Sequence, residues 1–381
     1  MKFKEDARVW GVLLAVGVMM LGLAVLGASG VAAQGQAGSG PPEWDPWEIN
    51  PLDGPVDLGL TDPALVGAMD VHSHVDPSTP WNNGITRAID FIEYAHLGKL
   101  RGVRGFVIKE HHSAAAAGYA YMIRKHIEPT LEVFGRMPLN FQVGGINVAA
   151  VDHFTHVRGG WGRIVEMPTI DAEWRYAGGP RPGREPRAPE TAERRAVSRP
   201  WMALMPPGSP MAVSISQNGE LRPEVKFLLE YVSRTRTADS GGRISISTGH
   251  SSGDEDVLLA REANRLGLLI VSPHGTQDMS PEQLQEYVRL GGFLELRQGG
   301  ATAEWVRMVG AENAVVSSDC GFRHELLPTD CMAIAARTLR EGGVSERELD
   351  LMFKQNPAKL VDIWPWRGST TGSSSSAADR P

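Results

Sequence analysis

The stretch Met69-Asp70-Val71-His72-Ser73-His74 decides how this sequence is read. It closes a short apolar run (Leu65, Val66, Ala68, Met69, Val71) and predicts a buried β-strand that ends in two histidines. Side chains alternate across a strand, so His72 and His74 are expected on one face, with Asp70 below them on that face. Two imidazoles aimed at one point suit a divalent metal of the zinc type. A His-x-His pair by itself is more often two packed histidines, so its weight depends on what the rest of the chain brings to it.

Working outward, short apolar runs alternate with helical patterns. The spacing predicts strands over residues 69–74, 105–112, 139–148, 163–169, 243–250, 268–274, 293–296 and 314–319. Helices are predicted between them, over 85–100, 114–134, 149–157, 223–233, 254–266, 303–309, 332–340 and 346–354, with Ser280-Pro281 opening another. Asn218-Gly219, between alternating residues, predicts a hairpin turn. The α/β alternation predicts a closed (β/α)8 TIM barrel, a fold that carries its active site at the C-terminal ends of the strands. An open doubly wound sheet is the alternative. No G-x-G-x-x-G follows the first strand to support a nucleotide-binding version of it.

The barrel gives scattered residues a common destination. The strand ends supply His72 and His74 (first), Lys109 and His111 (second), Glu166 (fourth), His250 (fifth), His274 (sixth) and Asp319 (eighth). Nitrogen and carboxylate ligands without thiolates suit Zn²⁺, with Mn²⁺, Fe²⁺ or Co²⁺ as alternatives. His112 faces away from His111 if the strand continues and is a weaker candidate for substrate contact, together with Arg323 and His324 after the eighth strand. His96, His126, His153 and His156 fall on helices and read as surface residues. Asp70 reads as a buttress of the first strand.

This constellation resembles the amidohydrolase superfamily of metal-dependent hydrolases. His72-Ser73-His74 matches that family's first-strand pair, His250 and His274 its fifth- and sixth-strand histidines, and Asp319 in Ser317-Ser318-Asp319-Cys320-Gly321 its eighth-strand aspartate. Asn356-Pro357-Ala358-Lys359-Leu360-Val361 is similar to the segment that commonly closes these barrels. Val107-Ile108-Lys109-Glu110-His111-His112 and Met167-Pro168-Thr169-Ile170-Asp171 resemble a little-studied branch of the family. The resemblance implies that His72, His74 and Asp319 hold one metal ion and that His250 and His274 hold a second. A bridging group is also implied, ordinarily a carbamylated lysine or a glutamate on the fourth strand, where this chain offers Glu166. Lys109, on the second strand, departs from the common arrangement. It is left as a carbamylated bridge, a cation for substrate, or a partner of Asp319 or Glu166. A one-metal site of His72, His74, His250 and Asp319 stays open.

The implied chemistry is attack of activated water on an amide, ester or lactone carbonyl of a small molecule, with Asp319 as general base and Lys109 and His111 assisting. Phosphoester hydrolysis, a mononuclear decarboxylation and a barrel that binds ligand or metal without turnover are the alternatives.

Composition bounds the rest. The 381 residues are 42% hydrophobic and 22% charged, values of a globular chain able to bury a sizeable core. A net charge of −7 argues against a nucleic-acid partner, since phosphate binding needs a concentrated basic face. Lys2, Lys4 and Arg8 precede an apolar run over residues 9–27, and Val31-Ala32-Ala33 follows. Residues 1–33 therefore read as an export signal, or as an uncleaved membrane anchor, and the folded part is expected to be periplasmic or secreted. Residues 34–63 read as an extended arm, 64–366 as the barrel and 367–381 as a disordered tail. Residues 172–212 break the rhythm with Arg175, Arg181, Arg184, Arg187, Arg194, Arg195 and Arg199 among prolines and glycines. This insertion is either a basic cover for an anionic substrate or a solvated loop. Cys320 and Cys331 are the only cysteines and are expected to be free, partly buried thiols.

Overall fold

The computed structural model describes residues 57–78, 87–178, 200–206, 208–297, 299–322 and 326–363. The signal or anchor, most of the arm, most of the arginine-bearing insertion, Arg323, His324 and the tail lie outside the described residues.

Eight parallel strands pair in chain order: β1 Met69–Ser73, β2 Gly105–Lys109, β3 Glu132–Pro138, β4 Gly162–Glu166, β5 Ser245–Ser247, β6 Ile270–Ser272, β7 Gly292–Arg297 and β8 Ala314–Ser317. Helices connect them, as in the βα alternation read from the sequence. The seam between β8 and β1 is closed just above the strands. Asp319 N donates to His72 O and His74 N to Cys320 O, each at 2.9 Å. The first- and eighth-strand candidates therefore meet at the seam itself. The hairpin forms where Asn-Gly called for it: Ser216–Gln217 pairs antiparallel with Glu220–Leu221, and Asn218 and Gly219 take the left-handed conformations of a two-residue turn.

The interior is layered. Met69, Val71, Val107, Phe134, Ile164, Val271, Phe293 and Val315 form an apolar plug, which Leu360 and Val361 of the terminal segment complete. Two residues further along their strands, Lys109, Arg136, Glu166, Glu295 and Ser317 replace apolar side chains with polar ones, and Ser247 of β5 joins them, all buried. Period-two alternation explains the stacking, since residues i and i+2 of a strand enter the barrel one above the other. A second apolar shell, including Phe106, Ile108, Val165, Ile246 and Val316, packs the strands against the helices.

Three expectations need correction. The third strand is not 139–148 but Glu132–Pro138, and the helix expected over 114–134 ends at Ile127. Pro129 disfavours helical conformation in Glu128, and Gly135 is required on β3 because a Cβ there would meet Ala117 N at 2.7 Å. Asn140, inside the misplaced strand, is instead a buried tie: its amide donates to His111 O and Thr169 Oγ1, and its carbonyl accepts from Thr169 N. Asp70 does not share the face of His72, because the β1–β2 register slips by one residue between Asp70 and Ser73. Asp70 accepts hydrogen bonds from Tyr94 of the flanking helix Phe91–Leu100 and from Ser318, so it does brace the strand, but from the outer side. Finally, Cys320 and Cys331 are joined in a disulfide, not free. The helix Pro328–Glu341 carries Cys331 back against the end of β8, a proximity that a sequence separation of 11 does not announce. Among the described residues no helix is long and apolar enough to cross a membrane.

Candidate metal centre

Three side chains converge at the mouth. His72 Nε2 lies 2.9 Å and His74 Nε2 3.0 Å from the same oxygen, Asp319 Oδ1. Their ligand atoms all lie within 4.8 Å of one another. Tetrahedral Zn²⁺ with ligands at about 2.0–2.2 Å sets neighbouring ligand atoms about 3.3–3.6 Å apart, so each of the two histidine–Asp319 contacts would need only a few tenths of an ångström of expansion. Backbone conformation serves this placement. Asp319 adopts φ +47°, uncommon for a residue with a side chain, and Gly321 at φ +117° packs so closely that a Cβ there would meet His74 O at 1.8 Å.

Below the cluster, the charged layer fixes its orientation. Glu295 Oε1 is 2.5 Å from His72 Nδ1, which holds that ring nitrogen as the donor and turns Nε2 toward Asp319. Ser317 Oγ donates to the same Glu295 oxygen at 2.7 Å. Arg136 crosses the barrel: one nitrogen donates to Glu166 Oε1 at 2.5 Å and to Ser247 Oγ at 2.6 Å, the other to Glu295 Oε2 at 3.3 Å. Lys109 Nζ sits 3.0 Å from His72 Nε2 and 3.4 Å from Glu166 Oε1. Burial pulls the Lys109 ammonium below its ordinary range, a pull that Glu166 offsets only in part. Burial would raise the acid of Asp319, yet His72 and Arg297 together hold it well below the usual carboxylate range.

Glu166 is thus placed beneath the triad, one oxygen committed to Arg136 and Ser247 and the other buried without a hydrogen-bond partner. His250 and His274 form a second pair, their rings edge to face at 4.5 Å. His274 Nε2 is buried and makes no hydrogen bond, while His250 Nδ1 accepts from Arg175 at 3.1 Å. Burial drives the His274 and His111 imidazoles well below their usual range, which favours the neutral, metal-ligating form. His111 stacks on His74 with ring centroids 5.0 Å apart and meets Thr169 Oγ1 through Nδ1. A cavity of about 230 Å³ joins these groups, lined by His74, Lys109, His111, His250, His274 and Asp319 together with Arg175, Arg297, Gln277, Ile170 and Phe322. His112 is not part of that lining, and its ring centroid is 6.3 Å from that of His111. His96, His126, His153 and His156 are exposed on the outer shell, as read from the sequence.

Sequence reasoning missed Arg136, Glu295 and Arg297. Arg136 was hidden by the misplaced third strand. Glu295 had a usable signal, a carboxylate inside the otherwise apolar run Phe293-Leu294-Glu295-Leu296.

A family model described as a family of unknown function (DUF6282) matches residues 67–295. No curated protein matches. Among solved structures, the chain is similar to a zinc-bound amidohydrolase from Burkholderia multivorans, with 9% identity over 78% of this chain and 99% of that one and a TM-score of 0.46. It is also similar to a variant of an organophosphorus hydrolase from Deinococcus radiodurans, with 13% identity over 81% and 99% of the two chains and a TM-score of 0.44. A lactonase variant from the same organism gives 14% identity over 78% and 96%, with a TM-score of 0.44.

Proposed function

The chain belongs to this family of unknown function, DUF6282, and we propose that it is a metal-dependent hydrolase acting on an amide, ester or lactone carbonyl of a small molecule. One observation carries the proposal: two imidazole Nε2 atoms and one carboxylate oxygen, drawn from opposite ends of the barrel sequence, share a point at the strand-end mouth. The donor set fits a divalent ion of the zinc type. His72 is held by Glu295 in the tautomer a ligand needs, and His274 Nε2 is a buried nitrogen without a hydrogen bond on the wall of the same cavity. His72, His74 and Asp319 would hold the ion, with His250 and His274 beside them for a second ion or for substrate. Such an ion supplies Lewis acidity, acidifying water and polarising the carbonyl oxygen under attack.

The chain's own residues supply the rest. Asp319 Oδ1, at the centre of the cluster, is the acceptor placed to take a proton from water and hand it to the leaving group. Lys109 and the stacked His111 face the cavity and orient the carbonyl side of the substrate. Arg136, Glu166 and Glu295 hold Lys109 and His72 in place through buried charge-assisted contacts.

The proposal extends to export. The basic–apolar–small pattern of residues 1–33 supports it, and so does the Cys320–Cys331 bridge, because disulfides persist mainly in oxidising compartments.

The test is metal content by elemental analysis, followed by a screen of esters, lactones and amides with wild type, His72→Ala and Asp319→Asn. At least one equivalent of a divalent transition metal and turnover lost in both variants are expected. Less than one equivalent in protein purified without chelator, or full activity in Asp319→Asn, ends the proposal.

A further inference from the structure

His250 and His274 stand beside the triad as candidates for a second ion, but the donor atoms there do not fit one. His250 Nδ1 lies 3.1 Å from a guanidinium nitrogen of Arg175, on the helix Glu173–Ala177 where the insertion after β4 begins. A guanidinium has only donors and stays protonated, so Nδ1 is the acceptor and the proton of the neutral ring sits on Nε2. One nitrogen has spent its lone pair on Arg175, and the other carries hydrogen. A ligating imidazole needs a lone pair turned to the metal, and His250 as placed has none to give. A cation brought to His250 would also meet the guanidinium at contact distance, and like charges repel most strongly where water is scarce.

The carboxylates that could complete a second site are held in the same manner. Glu166 Oε1 accepts from Arg136 at 2.5 Å and from Ser247 Oγ at 3.1 Å, and Lys109 Nζ is 3.4 Å from it. Asp319 Oδ2, the oxygen that the two histidines do not share, is paired with Arg297. His274 Nε2 and Glu166 Oε2 are left, both buried and without a hydrogen bond, and two donors fall short of the three that a zinc-type site takes from protein. Among the described residues, His72, His74 and Asp319 are the only three histidine, cysteine or carboxylate side chains whose donor atoms all lie within 4.8 Å of one another. We propose that the centre holds one divalent ion, and that Arg175 excludes a second by fixing His250 in the Nε2–H tautomer. His250 then meets substrate as a hydrogen-bond donor on the cavity wall, not as a ligand. This rests on the metal-dependent reading above and deepens it, because it sets how many ions the site takes and gives the first arginine of the insertion a defined role.

The test reads metal stoichiometry, not turnover. The purified full chain is stripped with chelator, titrated calorimetrically with zinc chloride and checked by elemental analysis, for wild type, Arg175→Met and Arg236→Met. Methionine keeps an unbranched side chain at position 175 and removes its donors. Arg236, in a separate groove with Leu266 and Lys359, serves as the control. One equivalent is expected in wild type and Arg236→Met. Two are expected in Arg175→Met, the second bound more weakly, because His250 Nδ1 is then released. Two equivalents in wild type, or a single one in Arg175→Met, overturn the inference and leave the hydrolase reading standing. No zinc binding in wild type removes the hydrolase reading, and this inference with it. A second measurement needs no change at Arg175: nitrogen-15 shifts of the histidine rings, with the His250 signals assigned through His250→Gln. A bare Nδ1 and a protonated Nε2 that persist on zinc loading are expected. A proton on Nδ1, or a metal-bound shift at either nitrogen, overturns the inference.

Discussion

Glu295 Oε1 lies 2.5 Å from His72 Nδ1, a hydrogen bond between the seventh and the first strand of the barrel made entirely out of water. The bond holds the imidazole in one tautomer and aims its second nitrogen at Asp319. Glu295→Gln keeps the shape but leaves a neutral acceptor in place of a carboxylate. Affinity for Zn²⁺ should fall about 10–100-fold, as for other carboxylates behind a ligating histidine, while far-ultraviolet circular dichroism stays unchanged. Competition with a chromophoric chelator measures it. Unaltered affinity would mean that Glu295 only neutralises Arg136.

Arg136 is the largest fully buried side chain among the described residues and is shared by Glu166 and Glu295. Replacing it with leucine leaves two carboxylates buried without their cation. The cost should be about 3–5 kcal/mol, read as a lower urea midpoint. Coulombic attraction to those two carboxylates already outweighs burial and raises the arginine above its ordinary range, so its charge is integral to the layer. A change of less than about 1 kcal/mol would show that the layer tolerates neutralisation.

The Cys320–Cys331 bridge closes a short loop beginning one residue after Asp319. Chain-entropy arguments give about 3 kcal/mol for a loop of this length. Cys331→Ser, or mild reduction, should therefore lower the melting temperature by several degrees and also weaken metal binding, since Cys320 O accepts from His74 N at the seam. A lower melting temperature with unchanged metal affinity would confine the bridge to stability.

A pH dependence follows from Asp62. Burial raises its carboxyl, but Arg340, donating at 2.8 and 3.1 Å, and the N–H of Ala64 outweigh burial and hold it below its ordinary value of 3.8. A carboxylate depressed in the folded state stabilises above its unfolded pKa, and the contribution is lost as pH falls through the folded value. Asp62→Asn should cost about 1–2 kcal/mol at neutral pH, a difference that shrinks at acid pH, once the pH has fallen well below the ordinary carboxyl value of 3.8. Urea unfolding at both pH values reads it, and a pH-independent difference would assign the loss to capping of the turn Pro63–Leu65 alone.

Patterns along the chain were enough to order the strands and helices and to place His72, His74, Lys109, Glu166, His250, His274 and Asp319 at strand ends. Those features follow from apolar periods of two and three to four residues, a local property of the chain. Which of these side chains meet is a property of the folded barrel alone. The slip of one residue in β1 that puts His72 on a different face from Asp70, the pairing of His72 with Glu295 across 223 positions, the crossing of Arg136 and the closure of Cys320 on Cys331 are all set by distances between distant strands and helices. Barrel closure fixes those distances, and no local pattern encodes them, because register and cross-barrel contact depend on how all eight strands twist and tilt together.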